Sequence, residues 1–577
     1  MMRVNLKTSL VIVCLLVMLV TLSIWTRCGG TLHSFSPSFT GRHDVLAKAN
    51  SMRNGERSVG DATGSFEELD CSINGEYTVG CRREGEEVFL PFSFLHKYFE
   101  VYGKLASYDG YERFEWSHSY ANVYYPKAKY DPRGVYMYFE NYNVEVRDRV
   151  KCVSASEGVP VSIQWESQGY YYPTQIAQFG LSHYSKNLTE PEPRRKVLED
   201  GSSEKSSWIV PVGASLARTY DAELFSHVLH FQTAGRGIQL KLDHVLDFVL
   251  SVQIQLSVVD NSSLTVVVQH RERKEFWNLH YTCSSQLIHA KDEDVYHGMN
   301  CGEKVQWRSL TRDLFVDLQK GLVLQNKEKR KISRSKFKIS AIMLTGSGQL
   351  DNLTLSTSEH LAHFYAAARW FVSNQDFKTG GWANTVKRRG APGMLDLLPG
   401  WYSAMGQGHG ISVLARAYHL SGDKAYLAAA VQALRPFKVL SKDGGVLAMF
   451  LNQVPWYEEY PTQPPSFVLN GFIYSLIGLY DLITLAPKNF VSDATFLYEQ
   501  GMKSLKTLLL SFDTGSGTIY DLRHLTVGSA PKIARWDYHA THVNQLLLLA
   551  TLDQDPLFSS TAGRWVGYMN GKRAPHN

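Results

Sequence analysis

From about residue 87 to 355, apolar and polar positions alternate in twos or gather into short apolar runs. Val144, Val146, Val150 and Cys152 alternate with Glu145, Arg147, Arg149 and Lys151, the mark of a half-buried strand. Apolar runs at 248–258 and 264–268 flank Asp260, Asn261 and Ser262, which predicts a hairpin. The pattern then changes to helical spacing: Leu361, Phe364, Tyr365, Ala368 and Val372 predict a helix over 358–373. Further helices are predicted over 401–420, 423–439, 465–486, 492–511 and 538–553, broken at Gly422-Asp423, at Pro487 and at the Gly515–Gly517 turn. Short connections favour antiparallel helix pairs, closing toward a toroid. The fold class is α+β, a β-rich part followed by a helical C-terminal domain.

Near the N-terminus, residues 8–25 form an uncharged, mostly apolar run, preceded by Arg3 and Lys7 and followed by Arg27. Its length suits a membrane-spanning helix with a cytoplasmic tail at 1–7, a cleaved signal peptide being the competing reading. Residues 26–66 lack periodicity and read as a stem. The near-continuous apolar stretch at 467–486 carries Asn470, Tyr474 and Asp481, so it reads as a buried bundle helix rather than a second span.

Composition adds a compartment and a substrate class. Three glycan sequons, at Asn187, Asn261 and Asn352, agree with a lumenal body. Cys71/Cys81 and Cys283/Cys301 are plausible local bridges there, although spacing alone leaves pairing open. Aromatics make up 12% of the chain, with 31 Tyr, which suits sugar binding and a β-rich fold equally. Net charge is only +5, but seven cations crowd residues 327–338, a polyanion site or a solvated loop. No nucleic-acid motif accompanies them.

Four segments concentrate polar aromatic and charged side chains. In NYNVEVRDR (141–149), a strand sets Arg147 and Arg149 on one face, about 7 Å apart, a spacing that suits carboxylate or sulfate. Ion pairing with Glu145 or other acids explains them as well. In WYEEYP (456–461), Pro461 drives Tyr460 toward an extended conformation, and Glu459 beside it is a reasonable acid–base pair or part of a helix-capping loop. In DTGSGTIYDLRH (513–524), a tight turn precedes Tyr520 and Arg523, and a nearby cation would lower the phenol below its ordinary value of about 10. In ARWDYHATH (534–542), Asp537 reads as an N-cap that puts Tyr538 in the first turn, near Arg535. A packed turn and an ordinary capped helix account for these last two equally. His539 and His542 read as core or surface residues rather than metal ligands.

Longer strings carry a resemblance. NYNVEVRDRVKC, GYYYPTQIAQFGLSHYSKNLT, PGWYSAMGQGHGISVLARAY, WYEEYPTQPPSFVLNGFIYSLIGLYDL, DTGSGTIYDLRH and ARWDYHATHVNQL resemble the heparan sulfate D-glucuronyl C5-epimerases of animals. The likeness runs in order from about residue 68 to the C-terminus and is weakest over 190–345. It implies a type II Golgi membrane enzyme, dimeric, acting on N-sulfated heparosan. It implies a β-hairpin region over 67–140, a β-barrel-like domain over 141–355 and an α-helical (α/α) toroid-like catalytic domain over 356–577. Tyr460, Tyr520 and Tyr538 match catalytic tyrosines, and Tyr142 and Arg149 match residues needed for turnover. Glu459 matches a substrate contact beside them and is assigned to proton relay or positioning. Asn143, Arg147, Gln164, Tyr172, Gln175, Asn470, Tyr474 and Arg523 match substrate contacts, as do Arg535, Trp536, Asp537, His539 and Thr541. No organic cofactor is implied, but a structural calcium ion is, with Asp351 at one ligand position.

The residue types fit the implied reaction. C5–H lies α to a carboxylate, and removing the proton builds an enediolate whose charge needs cations or donors, for which Arg149 and Arg523 are candidates. Inversion needs a base on one ring face and an acid on the other. The expectation is Tyr520 and Tyr538 on opposite faces, assisted by Tyr460 and Glu459. The alternatives are a polysaccharide lyase acting by β-elimination and a non-catalytic heparan-binding protein.

Overall fold

The computed structural model describes residues 66–575 except 74–76, 100, 109–110, 119–120, 203–206, 303–305 and 326–331. The expected tail and apolar run, the stem up to residue 65, and the cations at 327–331 lie outside the described residues. The described residues fall into two compact units that divide after Leu90. In the first, Glu67–Ile73, Tyr77–Glu84 and Glu87–Phe89 form an antiparallel sheet cross-linked by Cys71–Cys81. The second unit holds a hairpin, Val101–Tyr108 with Tyr111–His118, and everything that builds the cleft described below.

Its β part is two open sheets around one core. Seven strands run in the order Trp208–Ile209, Ile238–His244, Phe337–Thr345, Ser263–His270, Phe276–Thr282, Asp294–Gly298, Ile288–Lys291. The other sheet orders Ser215–Asp221, Ser226–Gln232, Ser347–Ser356, Val249–Leu256 and Arg308–Asp313, with Arg195–Glu199 also pairing to Ser347–Ser356. Neither order returns to its first strand, so the sheets form a sandwich and not a closed barrel. The predicted hairpin at 248–268 is likewise a crossover. Val249–Leu256 and Ser263–His270 belong to different sheets, and the turn at Asn261 links them. Leu250, Val252 and Ile254 on one strand and Leu264, Val266 and Val268 on the other are all buried in one core. Strands of two facing sheets bury such residues against one another across the core, as strands side by side in one sheet do not. Cys283–Cys301 is bridged, Cys152 is buried without a disulfide partner among the described residues, and Asn187, Asn261 and Asn352 are exposed.

The helical part is larger than the sequence pattern predicts. Four inner helices pack in sequence order, Pro173–Thr189, Ala404–Ser421, Leu469–Leu485 and Trp536–Leu552. Each is backed by an outer one: His360–Ser373, Lys424–Gln432, Ser492–Leu508 and Pro556–Met569. This is the inner–outer pairing of a toroid-like bundle. Its first inner helix comes from the region expected to be β. Tyr136, Phe139, Val144, Ile176 and Phe179 all belong to the helical core, so the expected boundary at 141 cuts through that core. Pro173 at the first helical position presets the backbone for this helix. The helix expected over 423–439 stops at Gln432, since Pro436 has no N–H to donate. Pro556–Met569, which the pattern missed, starts at Asp555, whose carboxylate accepts from Leu557 N at 3.0 Å.

Two features explain the composition of the inner helices. Ala404–Ser421 and Leu469–Leu485 cross at glycines, where a Cβ on Gly478 would come within 2.1 Å of the Gly408 carbonyl oxygen. Asp481 sits fully buried, paired to Arg416 at 2.6 Å, and both reach the Tyr130 hydroxyl at 2.9 and 2.8 Å. The expected reading of 467–486 as a buried bundle helix holds, and among the described residues no helix is long and apolar enough to cross a membrane.

Candidate active site

The first turns of the four inner helices open on one cleft of about 450 Å³, reached by Gln175, Met405, Asn470 and Tyr538 respectively. Free backbone N–H groups and the positive ends of helix dipoles gather at such termini, which favours an anionic occupant. Glu459 and Tyr460 add to the lining, and the remaining wall comes from residues 121–178.

That wall bends where a strand was expected. Val144–Val146 forms a turn of 3-10 helix, and the strand begins only at Val150. The bend is held from behind: Lys320 Nζ donates to the carbonyls of Arg147 and Val150, both at 2.8 Å, and Lys186 Nζ donates to Asn143 Oδ1 at 2.7 Å. Tyr142, Arg147 and Arg149 therefore line the cleft, whereas Asn143 and Glu145 line a separate cavity behind it. Arg147 lies 4.9 Å over the Tyr142 ring and donates to Gln178 Oε1 at 3.0 Å. Arg149 is exposed and reaches Gln164 Oε1 at 3.5 Å. Gln164, Tyr172 and Gln175 also line the cleft as expected. Burial pushes the Tyr142 phenol well above its ordinary value.

On the helical side, the loop after Val454–Tyr457 carries two buried carboxyls with separate tasks. Glu458 accepts from Ser466 Oγ and Phe467 N, both at 2.9 Å, and braces the loop. Glu459 lines the cleft, and burial pushes its carboxyl up to about 7, offset in part by a Tyr460 hydrogen bond and by Arg388 and Lys532. Its Oε2 has no hydrogen-bond partner among the described residues, and a Cβ on Gly471 would stand 2.4 Å from it. Only glycine admits the carboxyl against the start of this helix. Tyr460, Asn470, Tyr474, Asp537, Tyr538 and Thr541 complete the cleft face.

The three expected catalytic tyrosines converge, but not as a flanking pair. Tyr520 and Tyr538 touch edge to face, with ring centroids 4.8 Å apart, and Tyr520 stands behind the cleft surface. A sugar between two rings needs van der Waals contact on both sides, about 7–8 Å in all, so these two do not flank one uronate. Burial, with the Glu459 charge next, pushes Tyr460, Tyr520 and Tyr538 above ordinary phenol values. The expected cation-lowered phenol at Tyr520 is therefore reversed. Arg523 turns to the Asp521 carboxylate, with Nε to Oδ1 at 2.8 Å, and Lys532 covers the Tyr520 ring at 4.1 Å.

Tyr538 does sit in a first helical turn, but Asp537 lies inside that turn rather than capping it, since Arg535 is the N-cap. Arg535 lies 5.2 Å over the Tyr538 ring and donates to Asp537 at 3.3 Å. Trp536 and His539 stack on each other outside the cleft lining. His539 and His542 share the Thr518 hydroxyl at 3.0 and 2.9 Å, a packing role. Asp351 is buried in the sandwich, its carboxyl raised by burial with the charges of Asp200 and Asp221 adding to the effect. Calcium takes six to eight oxygens. Among the described residues no three His, Cys, Asp or Glu side chains converge to hold a metal, so the side chains at Asp351 do not by themselves make such a site.

Sequence reasoning missed the near edge of the cleft. Asn544 ties it down, accepting from Tyr124 N at 2.7 Å and donating to Asn122 O at 2.8 Å. Tyr124 stacks on Tyr138 at 4.5 Å, and Asn122, Tyr124 and Tyr138 all line the cleft. Residues 121–142 lack regular structure apart from a short turn, so no periodic signal marks them. The arrangement is a polar, aromatic cleft for an anion, with protonated phenols and one carboxyl that titrates near neutrality.

Comparison with known proteins agrees with this chemistry. A family model for the C-terminus of D-glucuronyl C5-epimerase matches residues 375–567, and one for the beta-sandwich domain of the same enzyme matches residues 225–347. The D-glucuronyl C5-epimerase of Caenorhabditis elegans is 38% identical over 561 residues, spanning 89% of this chain and 90% of that protein. An uncharacterized protein of Methanocaldococcus jannaschii is 33% identical over 160 residues, 27% of this chain and 48% of its own length. A family 11 carbohydrate-binding module of a Clostridium thermocellum cellulase overlaps 29% of this chain and 95% of its own, at 11% identity and a TM-score of 0.17, which carries no argument. With the relative matched along nearly its whole length and both domain models in place, the chain belongs to the D-glucuronyl C5-epimerase family.

Proposed function

We propose that the cleft inverts C5 of D-glucuronate to L-iduronate within N-sulfated heparosan. The carrying observation is Glu459, a buried carboxyl titrating at about 7 whose charge acts on Tyr460, Tyr520 and Tyr538. A base poised near the working pH is what proton abstraction from carbon requires. The C5–H bond breaks, its proton passes to Tyr460 as the Tyr460 proton passes to Glu459, and the electron pair enters the C5–C6 enediolate. Relay in this form needs no free phenolate, consistent with phenols held protonated. Arg149 and the helix N-termini stabilise the charge gathering on the carboxyl oxygens. A phenol on the opposite face returns a proton to C5, and Tyr142, which comes from the other wall, is assigned that task, taking a proton from cleft water as it gives up its own while Glu459 releases its proton to solvent. Arg147 and the Gln and Asn side chains of the cleft orient the chain.

The test is incubation of the purified protein with N-sulfated heparosan in deuterium oxide. Deuterium at C5 together with iduronate signals is the expected result, and the absence of both refutes it. Ultraviolet absorbance of an unsaturated uronate would mark β-elimination instead.

We assign the protein to the Golgi membrane as a single-pass type II dimer. The apolar run at 8–25, three exposed sequons and two disulfides suited to an oxidising lumen support the anchor and the lumenal body, and the dimer is what the resemblance implies. Alkaline carbonate extraction, glycosidase digestion and sedimentation test the three parts. A calcium ion at Asp351 would be structural, relieving the repulsion that Asp200 and Asp221 exert there. A melting temperature unmoved by chelator and by added calcium would remove it.

A further inference from the structure

One cation beside the cleft belongs to none of the segments singled out above. Residues 387–397 form a small hairpin in which Arg388 and Leu397 exchange backbone hydrogen bonds, both at 2.9 Å. Asp396 braces it, pairing with Lys387 Nζ at 2.7 Å and accepting from Gly390 N at 2.8 Å. Leu395 N donates to Gln463 O at 2.8 Å, which ties the hairpin to the loop that carries Glu459 and Tyr460. Lys387 and Arg389 are exposed, and Arg388 between them is half-buried. The Arg388 guanidinium stands 3.5 Å from the centroid of the Tyr460 ring and 5.9 Å from that of Trp165. Tyr460 lines the cleft and Arg388 does not, so the cation lies behind the ring.

We infer that Arg388 is a positioning residue of this site, clamping the Tyr460 ring in the cleft wall and supplying the positive charge that lets Tyr460 and Glu459 release protons. The inference rests on the proposed epimerase reading. Three cations stand near these groups; one is neutralised by an acid and one lies over another tyrosine. Arg523 is bound to Asp521, and Lys532 covers Tyr520. Arg388 has no ion-pair partner among the described residues, so its charge is not cancelled by an acid beside it. The groups facing Tyr460 are Glu459, Tyr520, Tyr172, Arg388 and Arg523, and those facing Glu459 also include Lys532, Asp521 and Tyr538. Arg388 acts to lower Glu459, Tyr460 and Tyr520 together against the burial that raises them. A guanidinium can do this while stacked flat on the ring, because its charge is spread over a plane.

The experiment is the pH dependence of C5 deuterium exchange on N-sulfated heparosan for wild type, R388Q and R388K. In R388Q the acid limb of kcat moves alkaline by about one pH unit, the lower end of what loss of a neighbouring opposite charge produces. Turnover near neutral pH then falls about fivefold, as the ionised share of Glu459 drops from about half to about a tenth, with KM little changed. R388K keeps the charge but not the planar face, so its acid limb coincides with wild type while kcat stays reduced. Wild-type protein that exchanges no deuterium removes the epimerase reading and this inference with it. If wild type is active, an unshifted limb in R388Q, or a raised KM at an unshifted limb, overturns the role of Arg388 alone. Should R388Q fail to fold, a limb displaced in R388K overturns it equally.

Discussion

Replacing Glu459 by glutamine removes one charge at nearly constant shape, and it should make the protein more stable and much less active. Burial raises this carboxyl from the ordinary 4.5 to about 7. That displacement means the ionised form costs the native state about 3 kcal/mol relative to the unfolded chain. Between about pH 4.5 and 7 the native state binds more protons than the unfolded state, so stability falls as pH rises through that window and levels off above it. E459Q lacks this fall. Above about pH 7 it should therefore exceed wild type by up to about 3 kcal/mol, less whatever the amide loses in fit. Glu458, raised to about 8 by burial, adds its own decline in both proteins, so the difference between them isolates Glu459. Exchange at C5 should drop by roughly 10²–10⁴, the share that general-base catalysis commonly supplies, with polymer binding retained. Denaturant unfolding across the window reads the first effect, and deuterium wash-in reads the second. If E459Q exchanges deuterium within a few-fold of wild type and keeps the acid limb near neutrality, Glu459 is not the proton acceptor and the relay is wrong.

Gly471→Ala tests the same carboxyl from its neighbour. Alanine favours the helix intrinsically, but its Cβ would stand 2.4 Å from Glu459 Oε2, so turnover should fall while the fold survives; unchanged kcat would show that Glu459 has room to move. Arg149→Ala should lower kcat/KM by roughly 10²–10³, as loss of one preorganised donor does, and a few-fold effect in initial-rate measurements would remove Arg149 from the enediolate. Asp481→Asn should cost about 3–5 kcal/mol in denaturant unfolding, because it leaves Arg416 charged and unpaired in the core. A loss below about 1 kcal/mol would mean that the pair contributes little there.

How much was legible follows the range of each interaction. Helices over His360–Ser373 and Ala404–Ser421 were readable because apolar spacing along one face is written locally, and residue 436 ended its helix early for a reason internal to proline. The resemblance carried the site residues further than spacing did. Thirteen of its assignments line the cleft: Tyr142, Arg147, Arg149, Gln164, Tyr172, Gln175, Glu459, Tyr460, Asn470, Tyr474, Asp537, Tyr538 and Thr541. Asn143 turned to the cavity behind because the backbone bends at Val144–Val146, and nothing in a period-two pattern reports such a bend. Asn122 and Tyr124 were invisible, since Asn544, which fixes them, lies more than four hundred residues away.

The sequence alone determined the α+β class, the turn from strands to helices near residue 358, and the family. Each depends on residue type and near-neighbour spacing. Tertiary structure alone decided that Val249–Leu256 and Ser263–His270 lie in facing sheets, and that Pro173–Thr189 is the bundle's first inner helix. It also decided the charge state of the phenols. An Arg three residues after Tyr520 predicts a lowered phenol, yet burial and the charge of Glu459 raise it, while Arg523 is held by Asp521. Proton affinity depends on what surrounds a group in space, and that surrounding is assembled from segments the chain brings together only by folding.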